Sequence, residues 1–177
     1  EKPTAAAEAA ADAVPAQVYL ICDERDLDDI IPIEDYLFEK GCNVILHGRT
    51  KESSKKTLEM LNKYEVKTYS VFGDLSDENQ ISNLIEQLKA LNISIDILYN
   101  NAAIMRAYRK DFWTHTSEDW LETYKVNVVA MYKLCSALIP AMIKNNFGRV
   151  VNTTSRIMHQ PELAPYGASK WAVDKLS

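Results

Sequence analysis

Glycine is scarce in this chain, five in 177 residues, and none occurs between Cys22 and Lys40. Where a backbone must approach a ligand closely, glycine normally makes room for it, so that stretch offers no such approach. Cysteine is scarcer still. Cys22, Cys42 and Cys135 lie far apart and lack metal-site spacing, which excludes a disulfide framework or zinc module and reads as reduced, buried thiols in a cytosolic protein. No long Lys/Arg run is present and the net charge is −5, so nucleic acid is not an expected partner. No unbroken apolar stretch reaches the roughly 18 residues of a membrane helix. The N-terminus shows no basic segment followed by an apolar one, which argues against a secretory signal. A cytoplasmic protein with no membrane partner is the expectation.

What is present is an alternation. Residues 1–16 are Ala-rich with two prolines and read as a linker or tail. From Gln17 to Ser177 the chain reads as a single α/β domain. "VYLIC", "NVILHG", "VKTYSVFG", "IDILYNNA" and "GRVVNTT" are strand candidates, and their near-continuous apolar runs suit strands buried on both faces. Between them lie helical patterns: "IEDYLFEKG", stopped by Gly41; "ESSKKTLEMLNKY"; a helix capped by Ser76; a long one over about 117–144; and a last one from about Pro165. The helix after Ser76 puts Ile81, Leu84, Ile85, Leu88 and Leu91 on one face. Trp113 and Trp120 flank the start of the long helix and read as core anchors. His115 and His159 show no partner pattern and read as surface or packing residues. Strands alternating with helices predict a Rossmann-like, doubly wound parallel sheet of about five strands. Ligands of such sheets bind at the carboxyl ends of the strands, where strand order reverses.

Those ends carry the candidate residues. The second strand closes on His47-Gly48-Arg49 with no acid. An arginine there accommodates a ribose 2′-phosphate and points to NADP, whereas a plain exposed turn residue is the alternative. Asp74, after the third strand, can accept from an adenine amino group or stabilise its own turn. Asn100, Asn101 and Ala102, with Ala103 behind them, let backbone pass close to a flat ligand, and equally suit a plain strand exit. Thr153, Thr154 and Ser155 follow the fifth strand, and Tyr166 and Lys170 share one helix face one turn apart.

In this order the residues resemble the short-chain dehydrogenase/reductase family over about 35–177: "NNAA" for its Asn-Asn-Ala-Gly turn, Asn127 in the long helix, Ser155 and "YGASK". The resemblance implies hydride transfer between NADP (or NAD) and a small carbonyl or alcohol substrate. It implies Tyr166 as general acid/base and Lys170 as the cation favouring its phenolate and holding the nicotinamide ribose. Ser155 would bond the substrate oxygen, Asn127 would anchor a water beside Lys170, and Arg49, Asp74, Asn100, Asn101, Ala102 and Lys170 would line the cofactor. It also implies a homo-oligomer formed through the long helix.

The chain departs from that family in two places. The family's first strand leads into a glycine-rich turn that cradles the pyrophosphate. Here Asp23, Glu24, Asp26, Asp28 and Asp29 crowd that position, and carboxylates repel phosphate. Solvation is the ordinary reading of such a cluster, and a Mg²⁺ site the sharper one. The chain also stops seven residues after Lys170, short of the family's C-terminal strands. That would leave a sheet edge uncovered and favour self-association. Residues 17–41 weakly resemble the opening of bacterial TIR-like, flavodoxin-like domains, which suggests a composite chain; a natural reductase with a divergent first loop is the equal alternative. The competing reading is therefore a catalytically inactive Rossmann-like fragment, chimera or scaffold that binds no cofactor.

Overall fold

The computed structural model describes residues 17–21, 41–55, 58–59, 65–105 and 109–177. The tail 1–16, the acidic cluster at 23–29 and the first helical pattern lie outside the described residues, as do Cys22 and most of the second helical pattern. Five strands are described: β1 Gln17–Ile21, β2 Asn43–Gly48, β3 Thr68–Phe72, β4 Ile97–Asn100 and β5 Arg149–Asn152. They form one parallel sheet in the order β3-β2-β1-β4-β5. The chain thus winds outward from β1 to β3, returns to the other side of β1 for β4, and ends its sheet on β5. Strand order reverses between β1 and β4, as the doubly wound expectation requires.

All six residues of β2 are buried, which explains its unbroken apolar run. Its polar members are paired: Asn43 Oδ1 accepts from the Lys67 amide at 2.9 Å, and His47 Nε2 lies 2.8 Å from the Gly73 carbonyl. Four α-helices are assigned among the described residues. Helix α1, Glu78–Ala90, buries Ile81, Leu84 and Leu88, with Ile85 and Leu91 partly buried on the same face. The 3.6-residue period places these side chains in the cluster of Ile45, Val71 and Leu98. Ser76 does not cap α1, contrary to expectation. Its hydroxyl donates to Asp74 Oδ1 at 2.7 Å, and Asp77 caps instead, accepting from the amides of Asn79 (2.8 Å) and Gln80 (3.2 Å). The helix exits through Asn92 at φ 52°, a conformation asparagine tolerates better than most residues.

The long helix is real but composite. Helix α2, Ser117–Tyr124, opens with a capping box between Thr116 and Asp119. A π-turn, Lys125–Ala130, joins it to α3, Met131–Lys144. Between Val126 and Ile143 only Lys133 is charged. By length and composition the run Ser117–Lys144, which contains an 18-residue window of mean hydropathy 1.7, could therefore cross a membrane, contrary to the expectation that no stretch could. The count of unbroken apolar residues missed it because small and weakly polar residues interrupt the run without lowering its mean hydropathy much. In this fold α3 packs against β4 and α1. The tryptophans also differ from expectation: Trp113 is 72 % and Trp120 37 % exposed. Trp113 sits in a short 3-10 turn, stacked edge-on against Phe112, and Trp120 leans on Tyr124. Neither faces the sheet, whose core is filled by aliphatic side chains. Helix α4, Ala164–Leu176, closes the described chain and packs on α2 and the π-turn.

Candidate active site

The C-terminal edge of the sheet gathers the sequence candidates into two groups, one on each side of β1. On the β2–β3 side, Arg49 is exposed at the end of β2. Asp74, half-buried after β3, accepts from the Ser76 amide and hydroxyl at 2.8 and 2.7 Å. Its contacts are those of a turn-stabilising carboxylate. Beside Arg49, the Ser54 hydroxyl is buried without a hydrogen-bond partner and lies against Gly48, where a side chain on residue 48 would collide with it.

On the β4–β5 side the backbones stay zipped past the strand ends. The Asn100 side-chain Nδ2 donates to Asn152 Oδ1 at 2.8 Å, and the Thr153 backbone amide donates to the Asn100 carbonyl at 3.0 Å. Thr153 Oγ1 donates to Asn101 Oδ1 at 2.8 Å. Asn100 also reaches Cys135 Sγ at 3.5 Å, and its Oδ1 is buried without a partner. Burial pushes the Cys135 thiol pKa up, a shift partly opposed by the bond from Asn100. Cys42 is pushed the same way by burial alone, so both described thiols favour the neutral, unreactive form. Ala102 packs, partly buried, against the core cluster.

Tyr166 and Lys170 project from the first turns of α4. Lys170 is 3 % exposed, its Nζ donating to the Thr153 carbonyl at 2.6 Å and standing 5.8 Å from the centre of the Tyr166 ring. An ammonium so deeply buried needs such an acceptor, and the exit of β5 supplies it. Asn127 comes from the π-turn, a geometry often found at functional sites. Its Oδ1 accepts from the Ile104 amide at 2.8 Å; its Nδ2 donates to the Ile104 carbonyl at 3.0 Å and to Ser169 Oγ at 2.9 Å. Ser169 Oγ in turn donates to the Tyr166 carbonyl at 2.7 Å. The Asn127 amide thus ties the segment that leaves β4 to the helix that carries Tyr166. Ser155, partly buried, accepts from the Ile157 amide at 3.3 Å and so closes its own turn, while Thr154 is exposed.

Two groups that organise this site carry no sequence signal. One is the Thr153 carbonyl, a backbone atom; the other is Ser169, a small residue inside the Tyr–Lys spacing. Among the described residues no cluster of three or more His, Cys, Asp and Glu could hold a metal.

A buried lysine one turn after a tyrosine, at the end of a doubly wound sheet, can hold and move a proton at a phenol. Comparison with known proteins decides the family. Residues 33–177 match the family model described as short chain dehydrogenase. The chain belongs to the short-chain dehydrogenase family. It is 36 % identical over 124 residues to the 3-oxoacyl-[acyl-carrier-protein] reductase of Aquifex aeolicus (strain VF5), covering 70 % of this chain and 49 % of the relative. It is 31 % identical over 141 residues to an uncharacterized oxidoreductase of Bacillus subtilis (strain 168), covering 78 % of this chain and 52 % of the relative. A gluconate 5-dehydrogenase from Burkholderia cenocepacia J2315, solved with NADP and tartrate, superposes with TM-score 0.77 at 25 % identity, over 92 % of this chain and 64 % of that one. The chain spans about half the length of these curated relatives. Strand β1 lies before the family-model match, yet it occupies the central position of the sheet.

Proposed function

We propose that the chain carries the catalytic half of an NAD(P)-dependent oxidoreductase that interconverts a small carbonyl and its alcohol. The single observation behind this reading is the buried Lys170, held by the Thr153 carbonyl at the exit of β5 beside the half-buried Tyr166. Tyr166 gives or takes the proton of the substrate oxygen, Lys170 stabilises the tyrosinate and holds the nicotinamide ribose, and Ser155 orients the substrate oxygen. Asn127 fixes the position of α4 through Ile104 and Ser169. The nicotinamide, when bound, supplies or accepts the hydride.

The residues at the adenosine end fit such a cofactor. Arg49 is exposed at the end of β2, and the buried Ser54 hydroxyl beside Gly48 lacks a hydrogen-bond partner; an arginine at this strand end supports a ribose 2′-phosphate, so NADP is the cofactor proposed. Asn100, Asn101 and Ala102 line the route between the two ends, and Asp74 stands by the adenine.

A second reading is favoured by one sequence observation: the stretch from Cys22 to Lys40 holds no glycine and five clustered acids. If the pyrophosphate position stays acidic, the chain is a Rossmann-like scaffold without cofactor. Titration with NADPH, followed by nicotinamide fluorescence, separates the two. Saturation at micromolar cofactor, with carbonyl-dependent NADPH oxidation abolished by Tyr166→Phe while binding persists, is the expected result. No binding up to millimolar NADPH would leave the scaffold reading in possession.

A further inference from the structure

The loops that leave β4 and β5 are stapled together at Glu162. Its carbonyl accepts from the Arg109 amide at 2.9 Å and faces His115 Nε2 at 3.2 Å. A carbonyl oxygen only accepts, so Nε2 carries the hydrogen. The His115 side chain is 1 % exposed, and its Nδ1 has no hydrogen-bond partner, standing 3.9 Å from Asp119 Oδ2. Asp119 is itself fixed. Its carboxylate accepts from the Thr116 amide at 2.9 Å and from Arg109 Nε and Nη2 at 3.3 and 3.0 Å. The Thr116 bond first, then Arg109, holds its pKa below the usual carboxylate range. His115 thus stands on the anchored start of α2 and reaches across to the other loop.

We propose that His115 is a positioning residue: its Nε2–H bond to the Glu162 carbonyl fixes the turn Pro161–Leu163 and, with it, the start of α4 that presents Tyr166. The proposal rests on the reading of Tyr166 as the proton-transfer group. Two observations and a comparison of side chains carry it. The turn runs directly into α4, with Leu163 buried as its plug and Tyr166 three residues further on. The Glu162 carbonyl receives both donors from the β4 side, Arg109 and His115. An apolar ring of similar size would fill the space without leaving a buried nitrogen unpaired; what imidazole adds is the donor.

Two substitutions divide space-filling from hydrogen bonding. His115→Phe keeps the volume and removes the donor, whereas His115→Gln places an amide N–H near the Nε2 position. The Arg109 amide, bonded to the same carbonyl, reports the clamp by hydrogen exchange in the full chain. It is expected to exchange roughly fivefold faster in His115→Phe and to recover in His115→Gln, as loss of one hydrogen bond implies. The amides of Ile45 and Leu98 stay as in the parent and show that the sheet is folded. With NADPH and a carbonyl substrate, kcat falls roughly tenfold in His115→Phe with KM for NADPH kept, the signature of a misplaced proton donor. Unchanged Arg109 exchange, or a Gln variant as fast as the Phe variant, overturns the clamp. Unchanged kcat beside accelerated exchange overturns its positioning role. A parent chain without turnover defeats the proposed activity alone, because the exchange comparison still decides whether His115 holds the turn.

Discussion

At the scale of single residues, the packing around Tyr166 is set by what is missing from its neighbour. Gly167 lies in α4 between the tyrosine and the lysine, and a Cβ there would run into the backbone carbonyl of Met158. The loop carrying Ser155 can therefore lie directly on the helix carrying Tyr166 only because residue 167 has no side chain. Backbone gives way less readily than a side-chain tip. Gly167→Ala is expected to cost about 1–3 kcal/mol, measured as a lower urea midpoint at unchanged m-value. It should also weaken turnover more than cofactor binding, since Lys170 and Tyr166 shift together against Ser155. A variant as stable as the parent would show that the loop 155–160 can withdraw freely. Nothing in the spacing of "YGASK" announces this contact, because the partner is the Met158 carbonyl in the preceding loop.

At the scale of elements, caps and periodicity account for where helices sit, and local hydrogen bonding decides between rival caps. Ser76 and Asp77 are adjacent and both are good capping types. Asp74 breaks the tie: its carboxylate captures the Ser76 hydroxyl and amide, leaving Asp77 to the helix. Asp77→Ala should therefore lower the denaturation midpoint, and Ser76→Ala clearly less, in chemical denaturation; the reverse ranking would contradict the observed cap. The cap bonds also lower the Asp77 pKa. Stability from this group is thus present above the unfolded carboxylate pKa and lost as pH falls through the folded value. The apolar face of α1 and the buried run of β2 were legible because burial imposes a period on side chains. The π-turn at Lys125–Ala130 was not, since one extra residue in a turn leaves an apolar helix apolar.

At the scale of the whole molecule, the sheet has one outer strand whose side chains are only half covered. In β5, Val150 and Val151 point to opposite faces and are 37 % and 41 % exposed, and no described strand pairs with its outer edge. Such an edge is a template for another strand. We expect the weight-average mass in sedimentation equilibrium to rise above 20.1 kDa as concentration increases. Val151→Lys, which puts a charge on the edge, should pull it back toward the single-chain value. A single-chain mass at every concentration, in the parent as in the variant, would mean that the edge is protected in solution.

The sequence alone determined the alternation of strands and helices, the parallel doubly wound sheet that follows from it, and the family, because each is written in local spacing or in residues of fixed type. Tertiary structure decided what local spacing cannot hold. It brought the Thr153 carbonyl onto Lys170 and joined Asn127 to Ser169 across 42 residues. It also left Trp113 and Trp120 exposed at the surface while the side chain of His115, with no pattern around it, was closed off from solvent. Hydrophobicity says that a side chain gains from burial; only the packed chain says which side chains find room, and which polar atoms find partners there.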